Sequence, residues 1–442
     1  MLTALCLAGC SVEDSAEAGA APAVTIPSST TSTAAASTAA LSTARTPTAP
    51  AAVVLTSFDA TPPSSSWSKP QLGEPIDDPV YGTSVRRVTS AEGTRFDRNT
   101  YSRRQPESPD GTRFLTYHGN AEYRVYDRSS GDIVSTLPIH PDAEPQWHPT
   151  DSSVIRHILG PDSSEGDLRL YATDVESGET IVIADLADRI QDALPGALYM
   201  KDRAEGSPSA DGNRSAWIVY DADDNVIGAV SYDLSSDSVL GARAIDPDDS
   251  STGELDWISM SPTGDYVVAG YTRATVVMDS DLTNDRRVND KADHSDIALS
   301  AAGFDSYVYI DFSDDRDAGW LVSVDLRTLD RTRLVDLYDD ANTSIHISGK
   351  GYDRPGWVVV STYNCKVPGA WSCDKVMLVD IDTPDKIFDL AHTYNCGNDY
   401  WTEPHAAVNR SFTRVYFNSD GGSCGIDAEV FELTLPPFGR CA

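Results

Sequence analysis

Seven times the chain repeats one local signal, a tight polar turn that runs directly into an alternating apolar strand. Ser108-Pro109-Asp110-Gly111 leads into Thr112-Arg113-Phe114-Leu115-Thr116-Tyr117, and Ser209-Ala210-Asp211-Gly212 into the stretch from Asn213 to Tyr220. Ser261-Pro262-Thr263-Gly264 leads into Asp265-Tyr266-Val267-Val268-Ala269-Gly270, and Ser300-Ala301-Ala302-Gly303 into Ser306-Tyr307-Val308-Tyr309-Ile310. His148-Pro149-Thr150-Asp151 is a variant of the same turn. Two degenerate copies follow, near Gly351-Tyr352-Asp353-Arg354-Pro355-Gly356 before Trp357, and at Val408-Asn409-Arg410-Ser411 before Thr413-Arg414-Val415-Tyr416-Phe417. Pro, Asp and Gly favour such turns, and an alternation of period two puts one face of the following strand into a core.

The turns recur at roughly 40–60 residues, the period of a blade-like β unit. Each unit continues with a second strand and a polar hairpin. Tyr123-Arg124-Val125-Tyr126-Asp127 with Ser130-Gly131 is one example, and Leu168-Arg169-Leu170-Tyr171-Ala172-Thr173-Asp174 with Ser177-Gly178 is another. Trp320-Leu321-Val322-Ser323-Val324-Asp325 is a third. Helical periodicity is scarce; residues Ile181 to Leu194 hold the one short helical turn expected. The pattern predicts an all-β, seven-bladed β-propeller over residues 66–442, with a strand around Thr83–Val88 completing the last blade and closing the ring. Closure removes exposed sheet edges.

The segment before this body reads differently. Leu7-Ala8-Gly9-Cys10 has the form of a lipobox after a short apolar stretch, Leu2 to Leu7, so residues 1–10 are expected to be a lipoprotein signal ending at an acylated Cys10. The apolar stretch is very short and no Lys or Arg precedes it. Residues 11–65, rich in Ser, Thr, Ala and Pro, bury too little apolar area to offset ordering entropy and read as a disordered tether. An extracytoplasmic protein anchored to a bacterial membrane by lipid is expected, at the outer membrane if the host is Gram-negative, since Ser11 follows the Cys. No run of about 18 apolar residues suggests a membrane-spanning helix.

The cysteines agree with export. Cys365 and Cys373 bracket a short segment with Pro368 and Gly369, which suits a loop disulfide, and Cys396 and Cys424 suit a bridge between two loops on one rim. Cys441 is left over, spacing alone does not fix the pairing, and a metal site is the alternative, although no C-x-x-C occurs. With 34 basic against 68 acidic residues the net charge is −34, which excludes nucleic acid as a partner and opposes an anionic ligand unless a local basic pocket or a metal reverses the field. The Asp-rich stretches at 221–224 and 314–317 lack EF-hand spacing and read as solvated turns. No G-x-S-x-G, P-loop or G-x-G-x-x-G is present.

In a propeller the segments before each turn converge on one central funnel. Three of the eight histidines fall there in consecutive late units: His294, His346 and His405, the last beside Glu403. His148 belongs to a turn, and His118, His140, His157 and His392 show no such alignment. Converging imidazoles with a carboxylate suit a divalent metal, or a general base beside one; alternatively each His fills a blade-start position and bonds to its neighbour.

The repeat resembles the WD40-like propellers of bacterial envelopes, the group that includes the Tol system's propeller component. The late units narrow this. His346-Ile347-Ser348, Pro355-Gly356-Trp357 and Ser361-Thr362-Tyr363, with Glu403-Pro404-His405, Asn409-Arg410 and Phe417-Asn418-Ser419-Asp420, resemble the C-terminal blades of oligogalacturonate lyase and related propellers. That family splits uronate-containing saccharides by β-elimination, with a Mn-type metal held by His and Gln side chains and a His base one blade earlier. The resemblance implies His346 and His405 as metal ligands, Glu403 at the Gln position and His294 as the base. Two departures stand out: the family's last blade supplies more than one His where this chain has only His405, and Glu403 brings a charge where the family has an amide.

Elimination needs a cation at the uronate carboxylate and a neutral base at the adjacent carbon acid. Arg273 and Arg203 lie near blade starts and are candidates for that cation, or else surface salt-bridge residues. Among the aromatic residues of the last two units, Trp357 and Tyr363 read as core, and Trp371, Tyr400 and Trp401 as rim contacts for sugar. Two functions remain open from sequence: a metal-assisted polysaccharide lyase, or a non-catalytic propeller that binds protein or glycan at the envelope.

Overall fold

The computed structural model describes residues 69–435 apart from 92, 161–166, 204, 247–248, 291–293, 312–316, 338–342, 368 and 397–399. The expected signal, tether, acylated Cys10 and Cys441 lie outside the described residues. Among the described residues, twenty-nine strands, one short α-helix and one 3₁₀ turn make an all-β architecture. The helix, Ala187–Ala193, falls inside the stretch marked as the helical turn. Strands pair almost wholly with their sequence neighbours, antiparallel, in sheets of four covering 146–185, 199–244, 255–289, 295–336 and 344–392. The remaining sheet joins a first unit, 96–136, to a last unit, 407–434, through a short parallel pairing of Ala428 and Glu429 with Phe96 and Asp97. The strand Ser84–Arg87 pairs antiparallel with Ala428–Thr434, matching Val85 with Leu433, so an N-terminal strand fills the outer side of the last unit.

Each of the repeated turns leads into the second strand of its sheet, and one hydrogen-bond pattern explains the shared sequence. Gly111 N–H donates to Ser108 C=O at 2.8 Å, and the Ser108 hydroxyl oxygen accepts from Arg113 N–H at 3.1 Å. The same pair recurs at Ser209 with Gly212 and Arg214, at Ser261 with Gly264 and Tyr266, and at Ser300 with Gly303 and Phe304. Gly111 has φ +69°, a left-handed conformation that favours glycine, and a Cβ there would also displace the Arg414 guanidinium 2.3 Å away. In the last unit Asn409 replaces Ser, its Oδ1 accepting from Arg414 N–H at 3.0 Å, and Phe412 takes the left-handed position at φ +57°. The degenerate turn keeps the geometry with different chemistry.

Successive units share buried apolar clusters. Leu115, Val125, Trp147 and Ile155 join the first to the second, and Trp257, Val277, Tyr307 and Val322 the fourth to the fifth. Val359, Leu378, Val415 and Phe431 join the sixth to the last. Phe114 and Tyr126 of the first unit pack with Tyr416 and Val430 of the last. Burying each such side chain contributes about 1.5–3 kcal/mol. Disulfides join Cys365 to Cys373 and Cys396 to Cys424. Among the described residues no helix is long and apolar enough to cross a membrane.

Candidate metal centre

The inner segments of the late units bring His294, His346, Glu403 and His405 together. His346 lies in the inner strand Ser344–Ser348; His294 directly precedes the inner strand Ser295–Leu299, and His405 stands one residue short of the inner strand Ala407–Val408. His346 Nε2 is 2.9 Å from Glu403 Oε2. His405 Nε2 is 3.3 Å from the same oxygen but outside hydrogen-bond geometry, and so is buried without a hydrogen-bond partner. One donor atom from each of the three residues lies within 4.8 Å of the others. The His346 and His405 rings meet edge to face at 4.1 Å, and His294 meets His346 the same way at 4.7 Å. Tyr363 stacks flat on His346 at 5.0 Å, and Tyr101 leans on His405 at 5.0 Å.

His405 has φ +41°, which a residue with a Cβ adopts only where its surroundings enforce it. Pro404 before it and Asn99, whose side-chain amide donates to the His405 carbonyl at 2.7 Å, hold that conformation. Burial lowers the His346 ring to about 3, with neighbouring His405 adding to it, and lowers His405 to about 4. Both imidazoles are therefore neutral near pH 7 and keep a lone pair for a ligand. Burial alone would raise the Glu403 carboxyl, but the two imidazoles outweigh it and hold it well below the usual range. Two neutral imidazoles, one of them with an orphaned buried nitrogen, and one carboxylate fit a divalent metal of the Mn, Fe or Zn kind, with positions to spare. A divalent ion on this set keeps a net positive charge despite the anionic Glu403.

The other expected contacts divide. Tyr400 is 51% exposed, 5.3 Å from the His405 ring, and stands at the rim. Trp401 touches Tyr400, but Phe96 stacks on it at 4.6 Å and the Arg98 guanidinium lies over it at 4.6 Å, so its ring serves as a support. Trp371 is not a rim residue: it is buried with Val360, Met377 and Val379 and has Lys375 over its ring, because the loop tied by Cys365–Cys373 folds back on the sheet. Arg273 does not reach the centre either. It is exposed in the turn between Tyr266–Tyr271 and Ala274–Asp279, two strands out from the inner edge, and donates to the Ser250 carbonyl.

Cations missed by the sequence reading come instead from the first unit. Arg98, Arg103 and Arg104 are nearly fully buried. Arg103 pairs with Glu205 at 3.1 Å, donates to the Ser295 hydroxyl at 3.1 Å beside His294, and lies 4.5 Å over Trp257. Arg104 pairs with Asp202 at 2.7 Å. A cavity of about 330 Å³ opens beside them, lined among others by Arg98, Arg104, Lys201, Arg203, Tyr117 and Glu144. Arg203, the other sequence candidate, is on this wall, 3.6 Å from Asp256. The acidic chain therefore carries a locally basic interior, the condition under which an anionic ligand is admitted.

No protein-family model matches the chain, and no curated protein sequence matches it. Many solved structures do. The oligogalacturonate lyase of Vibrio parahaemolyticus is similar at 13% identity and TM-score 0.56, over 82% of this chain and 96% of that one. An oligogalacturonate lyase in complex with manganese is similar at 16% identity and TM-score 0.56, with the same coverage. The fold is that of these propeller proteins.

Proposed function

We propose that this protein is a metal-assisted lyase that cleaves uronate-containing saccharides by β-elimination, built as a closed seven-bladed ring and held at a bacterial membrane by a lipid on Cys10. The ring reading is supported by apolar clusters that join each unit to the next and the last to the first. The observation that carries the function is the convergence of His346, Glu403 and His405 with His294 at ring contact. A binding scaffold has no need of two buried, neutral imidazoles around a carboxylate, one of them with an unpartnered nitrogen. The manganese in a structure of the same fold supports Mn as the ion.

His346, Glu403 and His405 would hold the metal, which when bound supplies a positive charge against a developing enolate. The chain's own residues carry the rest. His294 accepts the proton from the carbon next to the uronate carboxylate. The electron pair of that C–H bond forms the new double bond as the glycosidic C–O bond breaks, the leaving oxygen takes a proton from solvent water, and His294 then releases its proton to solvent. Arg103, fixed by Glu205 and Trp257, donates to Ser295 and so fixes the segment that carries His294. Tyr400 offers a half-exposed ring for the sugar.

Elemental mass spectrometry of the purified protein, beside a His346→Ala/His405→Ala double variant, tests the reading. Near-stoichiometric metal in the wild type, lost in the variant, together with ultraviolet absorbance of an unsaturated uronate on incubation with oligogalacturonate, is expected. No metal in either folded protein would overturn it.

A further inference from the structure

The basic cavity beside the triad contains one cation unlike the others. Arg104 is paired with Asp202, Lys201 lies 3.7 Å from Asp142, and Arg203 lies 3.6 Å from Asp256. Arg98 is only 6% exposed, yet among the described residues no carboxylate lies within ion-pair distance of it, and its Nε has no hydrogen-bond partner. Its one polar contact is with His405 Nδ1 at 3.5 Å, the outer limit of a hydrogen bond. A buried guanidinium without a counter-ion costs several kcal/mol unless something compensates it.

What holds Arg98 in place is aromatic. Trp401 lies 4.6 Å from the guanidinium carbon, Phe96 5.5 Å, Tyr117 5.7 Å and Tyr400 5.9 Å. Rings attract a cation through its face. They leave the in-plane fork, which matches a planar carboxylate with two parallel bonds, engaged only by the long contact to His405, with Nε unpartnered. Arg98 also borders the cavity, and on the same wall the partly buried Tyr117, backed by Tyr123 at 5.0 Å, offers ring surface to a sugar. Of the two acids there, Glu144 has its carboxyl pushed well up by burial and by neighbouring Asp202, so it opposes an incoming anion less than a free carboxylate would.

We propose that Arg98 is the residue that receives the carboxylate of a uronate bound in this cavity, and that it sets the preference of the site for acidic over neutral saccharides. The choice of a uronate rests on the lyase reading above; the unpaired buried guanidinium does not. One end of the sugar is thereby fixed next to His405, and Arg98 takes the role that the sequence assigned to Arg273.

The test is calorimetric titration of the metal-loaded full chain with digalacturonate and with its methyl ester, for the wild type, Arg98→Gln and Arg98→Lys. The wild type is expected to bind the acid at least about 10-fold more tightly than the ester, the scale of one charge-assisted pair. Arg98→Gln should lose that preference with metal content and Tm unchanged, and Arg98→Lys should keep part of it. A folded Arg98→Gln protein with the full preference would overturn the proposal, as would a wild type that binds acid and ester alike or binds neither. If Arg98→Gln does not fold, the wild type stripped of metal decides: a surviving preference supports Arg98, and its disappearance places the carboxylate on the metal instead. Absorbance of an unsaturated uronate reports the lyase reading separately. Acid-selective binding without that product leaves Arg98 standing and removes the elimination.

Discussion

Two buried clusters in this molecule pair histidine with a carboxylate, and they differ in how completely their polar atoms are used. At the first, Asp78 accepts five hydrogen bonds: from the backbone N–H groups of Val80, Tyr81 and His392, from the His392 ring Nδ1 at 3.0 Å, and from the Tyr394 hydroxyl. It ties the turn after Pro75–Asp77 to the strand Ile387–His392 and leaves its carboxylate nothing to gain from a ligand. At the second, Glu403 draws in two imidazoles, one of them off geometry and with a strained backbone. Burial and a His–carboxylate contact are common to both. Unused bonding capacity is what separates a site from a rivet.

Four experiments would break or sharpen this contrast. Asp78→Ala should have the largest effect, about 3–5 kcal/mol of stability, by stranding several buried donors, with metal content per folded protein unchanged; urea unfolding with elemental analysis reads both. Glu403→Ala should do the reverse, lowering metal affinity by about 100-fold or more while the metal-free protein unfolds within about 1 kcal/mol of wild type. Equal stability losses at the two positions would erase the distinction.

The third is a pH dependence. Burial favours the neutral Asp78 carboxyl, but the hydrogen bonds from His392, Tyr394 and Tyr81 prevail and lower it to about 2. Its unfolded value is about 3.9. A group depressed in the folded state stabilises above the unfolded value and loses that contribution as pH falls through the folded one. About 2 kcal/mol should therefore disappear between about pH 4 and about pH 2, and Asp78→Asn should flatten that part of the stability curve. The fourth is Tyr394→Phe, at about 1 kcal/mol for one donor, with Tyr400→Ala at the half-exposed rim as its control: this should stay within about 0.5 kcal/mol, the smallest change, and be felt in saccharide binding instead.

Much of this was legible in the sequence, for reasons that can be named. The Ser-x-x-Gly turns mark the second strand of four units because hydroxyl, glycine and strand pairing are all local. The alignment of His294, His346 and His405 before one such turn and its two degenerate counterparts is enough to bring them together. Arg98 was not legible. It sits in Phe96–Asn99, a short strand with no turn signature of its own, and meets His405 only because the first and last units are adjacent. Arg273 and Trp371 failed for a related reason. Position along the chain gives the unit, but how far out a turn stands, and which way a disulfide-tied loop folds, depends on packing.

The pairing of Val85 with Leu433 has a consequence in time. Until Ala428–Thr434 has been made, Ser84–Arg87 can pair only with the short strand Pro75–Asp77 beside it. His346, Glu403 and His405, too, stay apart from Arg98 until then. Shortening the chain by its last described strand would not trim the protein but unlatch it, and no partly made chain can carry the complete site.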